Sequence, residues 1–477
     1  MGKAKARRSG ASWRRALGFA CHEGYLYALF YMGMNREFSL GSFQVERVEL
    51  LGALAAMVVA LAAVALLERR APAVREVLFE RHSIVVYALA LVAGAFVPVV
   101  MGGLQTDELV FESIMVGVPW ALMLLAWARR LARGTTERAA FEVFAGAGIG
   151  AALCLATFLF PLDEAVWALK LAPLASAALL IIDMRGGGED AVETRPEAAV
   201  SGSMATDFSV KVMAGTVCYG LAAGFMEAYN SNPGSAAMAS FPACLIVFVL
   251  FCAGALQLLF ARDPRARGGL DGAYRLSLLV MMAGFLFAPS LASTGVPGEA
   301  IVLAGYLGLI CVLASLFLAF TKIVAEDPAR IMARGFLALF CGELAGVALA
   351  NASNGLVPSG STPYFIVCFA GLATLFAYLF LFTERDFKAL SEIARTVDYF
   401  EEACEAIARE AGLSNREAEI LPLALRGRTS ERIAGELFIS KSTVDTHLRR
   451  IYTKAGVHSR QELIDLGERT VERLSRG

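Results

Sequence analysis

The sequence predicts an all-α protein: a polytopic bundle of about twelve membrane-crossing helices over residues 16–383, then a compact four-helix domain over 413–477. Three observations predict it. Hydrophobic residues make up 57% of the 477-residue chain and charged residues only 18%, and mean hydropathy is +0.59, too apolar for a water-soluble chain of this size. Apolar runs of about 18–22 residues recur along most of the chain, each long enough to cross a hydrocarbon core of roughly 30 Å. The final stretch changes character: it is polar, rich in helix start signals, and patterned at the helical period.

Residues 1–15 form a basic tail carrying Lys3, Lys5, Arg7, Arg8, Arg14 and Arg15. No small-residue cleavage site follows the first apolar segment, so that segment reads as a retained span. The spans are expected at 16–34, 48–67, 83–101, 109–128, 140–160, 164–183, 208–228, 239–261, 274–293, 299–321, 335–353 and 364–383. The longest connection that follows an even-numbered span, 184–207, is rich in Gly, Ala and acids and reads as a flexible linker. It divides the bundle into halves 16–183 and 208–383.

Charge sets the expected orientation. Basic residues crowd the tail and the loops after even-numbered spans, for instance Arg69, Arg70, Arg75 and Arg81, or Arg262, Arg265, Arg267 and Arg275. The loops after odd-numbered spans hold only Arg36 and Arg47. The positive-inside rule then places both termini in the cytoplasm of a cell whose inner (plasma) membrane holds the chain. Six spans, a longer inner loop and six more spans resemble the architecture of the major facilitator superfamily. The charged signature of that superfamily between the second and third spans is not matched by ERRAPAVREVLFERH. The resemblance therefore implies a site between the halves near the midplane, without a transport mechanism.

His22, Glu23, Glu112, Lys170, Glu227 and Glu343 lie inside the apolar runs, where a charge is costly and faces a cavity or a partner. They are candidate lining for a small-molecule pocket or a proton-sensitive switch. Each can also be read as an interface residue that snorkels, or as half of a structural pair. Gly146-Ala147-Gly148-Ile149-Gly150 imitates a phosphate loop, but no strand precedes it, and close helix packing explains it. The nine cysteines show no CxxC and no metal spacing, so they read as small packing residues. No cofactor or metal is expected.

Residues 384–412 form a connector. Leu390, Ile393, Val397, Phe400, Cys404, Ile407 and Ala411 alternate three and four apart, a seam for pairing two protomers or for packing on the chain's own domain.

In the last domain, Ser414 with Glu417 three residues later is a capping box. Thr429 or Ser430, Ser440 and Ser459 are the caps of three further helices. Val444, Leu448, Ile451 and Ala455 make one buried stripe on the third helix. The opposite side carries Thr446, Arg449, Arg450 and Thr453, with Lys441 and Lys454 at the ends. Two short helices with a basic outer face on the second fit a helix-turn-helix whose second member enters the DNA major groove. Pro422 inside the first helix predicts a kink compensated by packing.

The ordered residues Leu413-Ser414, Arg416-Glu417, Ile420-Leu421, Gly427, Ile433-Ala434, Leu437-Phe438-Ile439-Ser440, Thr443-Val444, His447-Leu448, Ile451-Tyr452, Lys454, Val457 and Ser459-Arg460 closely resemble the LuxR-type (GerE-like) DNA-binding domain. That resemblance implies binding of double-stranded DNA as a homodimer, with the fourth helix at the seam. By position it implies that Asp445, Thr446 and Arg449 read bases and that Lys441, Thr443 and Lys454 meet phosphates. Asp445 departs from the family, where a basic residue is common, and an acid there can accept from a cytosine amino group. A membrane-bound one-component transcription regulator is thus expected, with a secondary transporter bearing a DNA-binding domain as the alternative. An enzyme is not expected, because no nucleophile–base pair, metal cluster or phosphate loop stands in context.

Overall fold

A computed structural model describes residues 2–32, 36–40, 43–67, 72–101, 106–160, 162–186, 202–228, 241–260, 269–291, 298–324, 326–354 and 364–476. The described residues divide into two compact units, the first running up to Ser391 and the second from Glu392 onward.

The first unit is helical, as composition dictates: an apolar chain in lipid has to satisfy its backbone internally. Its elements are α1 (Gly2–Phe30), β1 (Glu37–Leu40), β2 (Phe43–Glu46), α2 (Val48–Leu67), α3 (Pro72–Leu78), α4 (Arg81–Met101), α5 (Thr106–Leu131), α6 (Thr136–Ala156), α7 (Leu162–Lys170), α8 (Ala172–Gly186), α9 (Gly202–Ala228), α10 (Phe241–Leu259), α11 (Gly269–Leu291), α12 (Gly298–Val324), α13 (Pro328–Asn354) and α14 (Tyr364–Phe376). Nine helical segments among the described residues are long and apolar enough to cross a membrane, and ten if the bent pair Val367–Leu381 with Glu384–Glu410 counts as one. α1 and α9 are of similar length, but polar residues such as His22, Glu23, Lys211 and Glu227 lower their hydropathy.

Several expectations are refined. The basic tail is not separate from the first span: α1 runs unbroken from Gly2. The sixth span is broken at Leu171, just before Pro173, which restricts the residue preceding it. Most of the expected linker lies outside the described residues, and residues 202–207 are already part of α9. The otherwise all-α chain also carries a small antiparallel hairpin, with Phe38 opposite Val45 and Leu40 opposite Phe43. Its sequence signal is Gly41-Ser42 between alternating apolar residues.

Glycine sets the closest helix approach. A Cβ on Gly220 or Gly224 of α9 would stand 2.1 Å from the carbonyl oxygen of Leu339 or Glu343 on α13. A Cβ on Gly342 or Gly346 of α13 would come equally near the carbonyls of Val217 and Leu221. Small residues on both helices let the backbones touch, and this brings Glu227 and Glu343 together. The 146–150 segment behaves in the same way, with Gly146 against Ala16 O and Gly150 against Ala20 O and Gly24 of α1.

α14 ends in a π-helical turn over Ala377–Leu381, closed by Phe382 N–H donating to Ala377 O. Thr383 and Asp386 then exchange bonds, the Thr383 hydroxyl accepting from Asp386 N–H and the Asp386 carboxylate from Thr383 N–H, and α15 (Glu384–Glu410) starts. The Tyr274 hydroxyl donates to Phe382 O at 2.6 Å, and its ring stacks on Phe387 at 4.7 Å.

The second unit contains α16 (Asn415–Leu425), α17 (Ser430–Glu436), α18 (Lys441–Ala455) and α19 (Arg460–Arg476). Ile420, Leu421, Ala424, Ile433, Val444, Leu448, Ile451 and Leu463 form its core. Cys404 and Ile407 of α15 are buried in that same core, and Phe400 packs against it. Over 400–407 the connector seam packs on its own domain. α16 continues through Pro422, whose neighbours Leu421, Ala424 and Leu425 are core residues.

Candidate nucleic-acid interface and buried polar cluster

The four predicted caps of the C-terminal domain are present. Ser414 Oγ accepts from Glu417 N–H, and Glu417 Oε2 accepts from Ser414 N–H at 2.8 Å, completing the capping box. Thr429, Ser440 and Ser459 accept from the N–H groups of Arg432, Thr443 and Glu462 at 3.3, 3.1 and 3.1 Å. α18 ends at Gly456, whose φ of +68° allows its N–H and that of Val457 to turn back onto Thr453 O and Tyr452 O.

These constraints hold α18 with Val444, Leu448 and Ile451 inward and Lys441, Thr443, Thr446, Arg449, Arg450 and Thr453 outward. Asp445 is half-buried at the edge of that face. Thr446 Oγ1 donates to Ser442 O at 2.8 Å, so its hydroxyl is held close to the helix. Lys441 Nζ stands 2.6 Å from Glu431 of α17, bridging the turn. The exposed face is basic and polar, with side chains of the kind that meet phosphates and base edges.

Lys454 stands differently from the rest. Its ammonium donates to Glu417 Oε2 at 2.6 Å and to Gly412 O at 3.2 Å, so it ties α18 to the start of α16. The role assigned to it by resemblance, a phosphate contact, competes with this internal pair. The Lys454 ammonium and the Ser414 N–H hold the Glu417 carboxyl at about 2, well below its ordinary 4.5. A carboxyl with a depressed folded-state pKa contributes stability above its unfolded value, and that contribution is lost as pH falls from about 4.5 to about 2. Lys454→Met is expected to move the acid-unfolding midpoint upward when helicity is followed by circular dichroism across this window. An unchanged midpoint would remove the pair from the account.

The turn between α17 and α18 contains Phe438, whose backbone conformation the sequence pattern does not reveal. Phe438 has φ +52° and is 95% exposed. A bulky residue in the left-handed region is strained, and here no packing offsets the strain. Phe438→Gly is expected to stabilise the domain by about 1 kcal/mol, strain relief outweighing the entropy of glycine. A lowered unfolding temperature would contradict this.

The bundle gathers four of the six candidate pocket residues. Glu23 and Glu343 line a cavity of about 40 Å³ together with Tyr27, Tyr31, Trp120 and Phe340. Tyr31 donates to Glu227 Oε1 and Tyr306 to Glu343 Oε2, both at 2.6 Å. His22 stacks on Trp120 with centroids 4.8 Å apart. Arg47, at the end of the hairpin, donates to Phe30 O and lies 5.9 Å over the Tyr31 ring. The other two candidates have different partners. Glu112 accepts from Arg36 at 2.7 and 2.8 Å, and the Lys170 ammonium rests 5.5 Å from the ring centroids of Phe96 and Trp167. The tyrosines went unnoticed in the sequence, although Glu23, Tyr27 and Tyr31 follow one another at four-residue steps along one helical face.

A second buried cluster was also missed. Glu142 of α6 accepts from Ser12 Oγ at 2.6 Å, from Arg15 Nη2 at 2.6 Å and Nε at 2.8 Å, and from Arg138 Nε at 3.1 Å. Asp183 of α8 accepts from Arg130 at 2.7 Å and lies 3.6 Å from Arg15. This network ties α1, α5, α6 and α8 together.

Residues 411–466 match the family model of bacterial regulatory proteins, luxR family. A similar curated protein is the HTH-type transcriptional regulator MalT of Serratia proteamaculans (strain 568), 35% identical over 69 residues. That stretch is 14% of this chain and 8% of the relative, so the likeness spans under a tenth of the relative's length. A similar solved structure is the major facilitator superfamily proton:xylose symporter XylE bound to 6-bromo-6-deoxy-D-glucose, at 13% identity and TM-score 0.49, over 80% of this chain and 98% of that one. Residues 411–466 are a LuxR-type helix-turn-helix domain.

Proposed function

We propose that this chain is a membrane-bound one-component transcription regulator. The observation that carries the proposal is a LuxR-type DNA-binding domain on the same polypeptide as a bundle of helices long and apolar enough to cross a bilayer. In this reading the bundle lies in the inner membrane of a bacterium with both termini in the cytoplasm, as the loop charges favour. The domain binds an operator as a homodimer, α18 entering the major groove. Arg449, Thr446 and Asp445 reach base edges, and Lys441, Thr443 and Arg450 serve the backbone. A ligand in the bundle regulates only by binding one conformation better than the other, since equal affinity shifts nothing. No catalytic step is assigned to the chain.

Two measurements test this. Random-sequence DNA selected on the full chain in nanodiscs should converge on a site with two-fold symmetry, bound with an affinity that falls steeply with salt. An alkaline phosphatase fused after Phe382 should be inactive, and an active fusion would place the domain on the wrong side. The second reading, a transporter with an attached DNA-binding domain, draws on the buried carboxyls around the cavity. Solute accumulation against a gradient in proteoliposomes would favour it.

A further inference from the structure

The cavity in the bundle carries an inference that rests on the sensing role proposed above and gives its ligand a chemistry. Glu23 and Glu343 line the cavity, and Glu227 joins them through its bond from Tyr31. These three carboxyls are each more than nine-tenths buried. Against them stands a single guanidinium, that of Arg47, among the described residues of the cluster. Acidic groups crowded together in an apolar bundle favour a counter-charge beside them.

Two polar atoms sharpen the point. Glu227 Oε2 and the indole Nε1 of Trp120 are buried with no hydrogen-bond partner, and Trp120 is itself a wall of the cavity. An unpaired carboxylate oxygen calls for a donor, and an unpaired N–H for an acceptor. The rest of the wall is apolar, with the rings of Tyr27, Tyr31, Trp120 and Phe340 set among aliphatic side chains such as Leu50, Leu54 and Leu307. Ring faces attract cations and repel anions.

We propose that this cavity binds a compact organic ammonium ion, its charged head held by the carboxyls of Glu23 and Glu343 and by the surrounding ring faces. The cavity of about 40 Å³ matches a head the size of a water or an ammonium group. A ring-sized body enters only as the neighbouring side chains part, so binding selects a wider conformation of the bundle. A hydroxyl or ether oxygen on the same ligand would satisfy Trp120. This coupling of ligand charge to bundle width is what the proposed regulator requires.

The test uses the full chain in nanodiscs and three probes of one shape: benzylamine, benzyl alcohol and benzoate. Unfolding temperature and tryptophan emission are followed as each is added. Benzylamine, cationic at neutral pH, is expected to raise the unfolding temperature and shift the emission saturably, while the other two do not. Glu343→Gln is expected to weaken this binding about tenfold or more, the loss of one buried charge contact. Glu23→Gln is the second variant should the first not fold. An equal response to benzyl alcohol shows apolar partition and overturns the proposal. A stronger response to benzoate shows a site governed by Arg47 and also overturns it. So does a saturable response to none of the three, or an undiminished one in the folded variants. DNA affinity measured in the same samples separates the two readings. Benzylamine binding with unchanged DNA affinity keeps the cation site and removes the sensing role, whereas intact DNA binding with no benzylamine site removes the cation proposal alone.

Discussion

Replacing Arg449 with Ala is expected to cut affinity for the selected operator by a factor of about 5 to 150, which is the 1–3 kcal/mol of a good base contact. Arg449 stands on the exposed face of α18, one turn after Asp445, while Leu448 beside it is buried in the core. Its side chain can therefore be removed without opening the core, and the loss reads binding rather than folding. The pattern of the loss matters more than its size. A residue that reads a base relaxes specificity at one operator position and leaves non-specific binding almost untouched. A residue that meets phosphate weakens all sequences alike and lowers the salt slope by about one. Lys441→Ala is expected to behave in the second way, tempered by its ion pair with Glu431. If Arg449→Ala leaves operator affinity unchanged, α18 does not read DNA through this face.

The largest effect on stability is expected at Glu142. Its side chain is fully buried and takes bonds from Ser12, Arg15 and Arg138. Glu142→Leu leaves the Arg15 guanidinium, itself only 10% exposed, with Asp183 at 3.6 Å as its remaining acid among the described residues. Breaking a buried pair from one side costs about 3–5 kcal/mol, because the survivor keeps its desolvation cost without its partner. Thermal unfolding of the full chain in nanodiscs should show a large fall in midpoint. The double replacement Arg15→Met with Glu142→Leu should recover most of that fall, since exchanging both partners for apolar groups is often close to neutral. Additive losses would show that the two residues act separately.

Much of the molecule is legible in its sequence. Twelve spans were expected, and nine or ten helical segments among the described residues are long and apolar enough to cross a membrane, because length and apolarity answer to the bilayer and need no knowledge of neighbours. The caps at Ser414, Thr429, Ser440 and Ser459 were readable for the same reason: each bond is made within about four residues of its donor. The inward stripe of α18 follows from the helical period alone. The hairpin after α1 has a local signal too, in Gly41-Ser42 between two short alternating segments.

What the sequence by itself determined, then, is the set of elements: apolar helices, a connector with one apolar face, and a capped helix-turn-helix with a basic outer side. What only the tertiary structure decided is which of the scattered polar groups meet. Tyr31 and Glu227 are 196 residues apart, and Arg15 and Glu142 are 127 apart. Lys454 turned inward to Glu417 across 37 residues, and Cys404 and Ile407 closed on the core of their own domain. The physical reason is that periodicity and capping act over a few residues of chain, whereas a charge on an apolar helix takes whichever partner packing brings to it. Here close packing of glycines between α9 and α13 sets Glu227 beside Glu343, and their bonds come from Tyr31 and Tyr306 on other parts of the bundle.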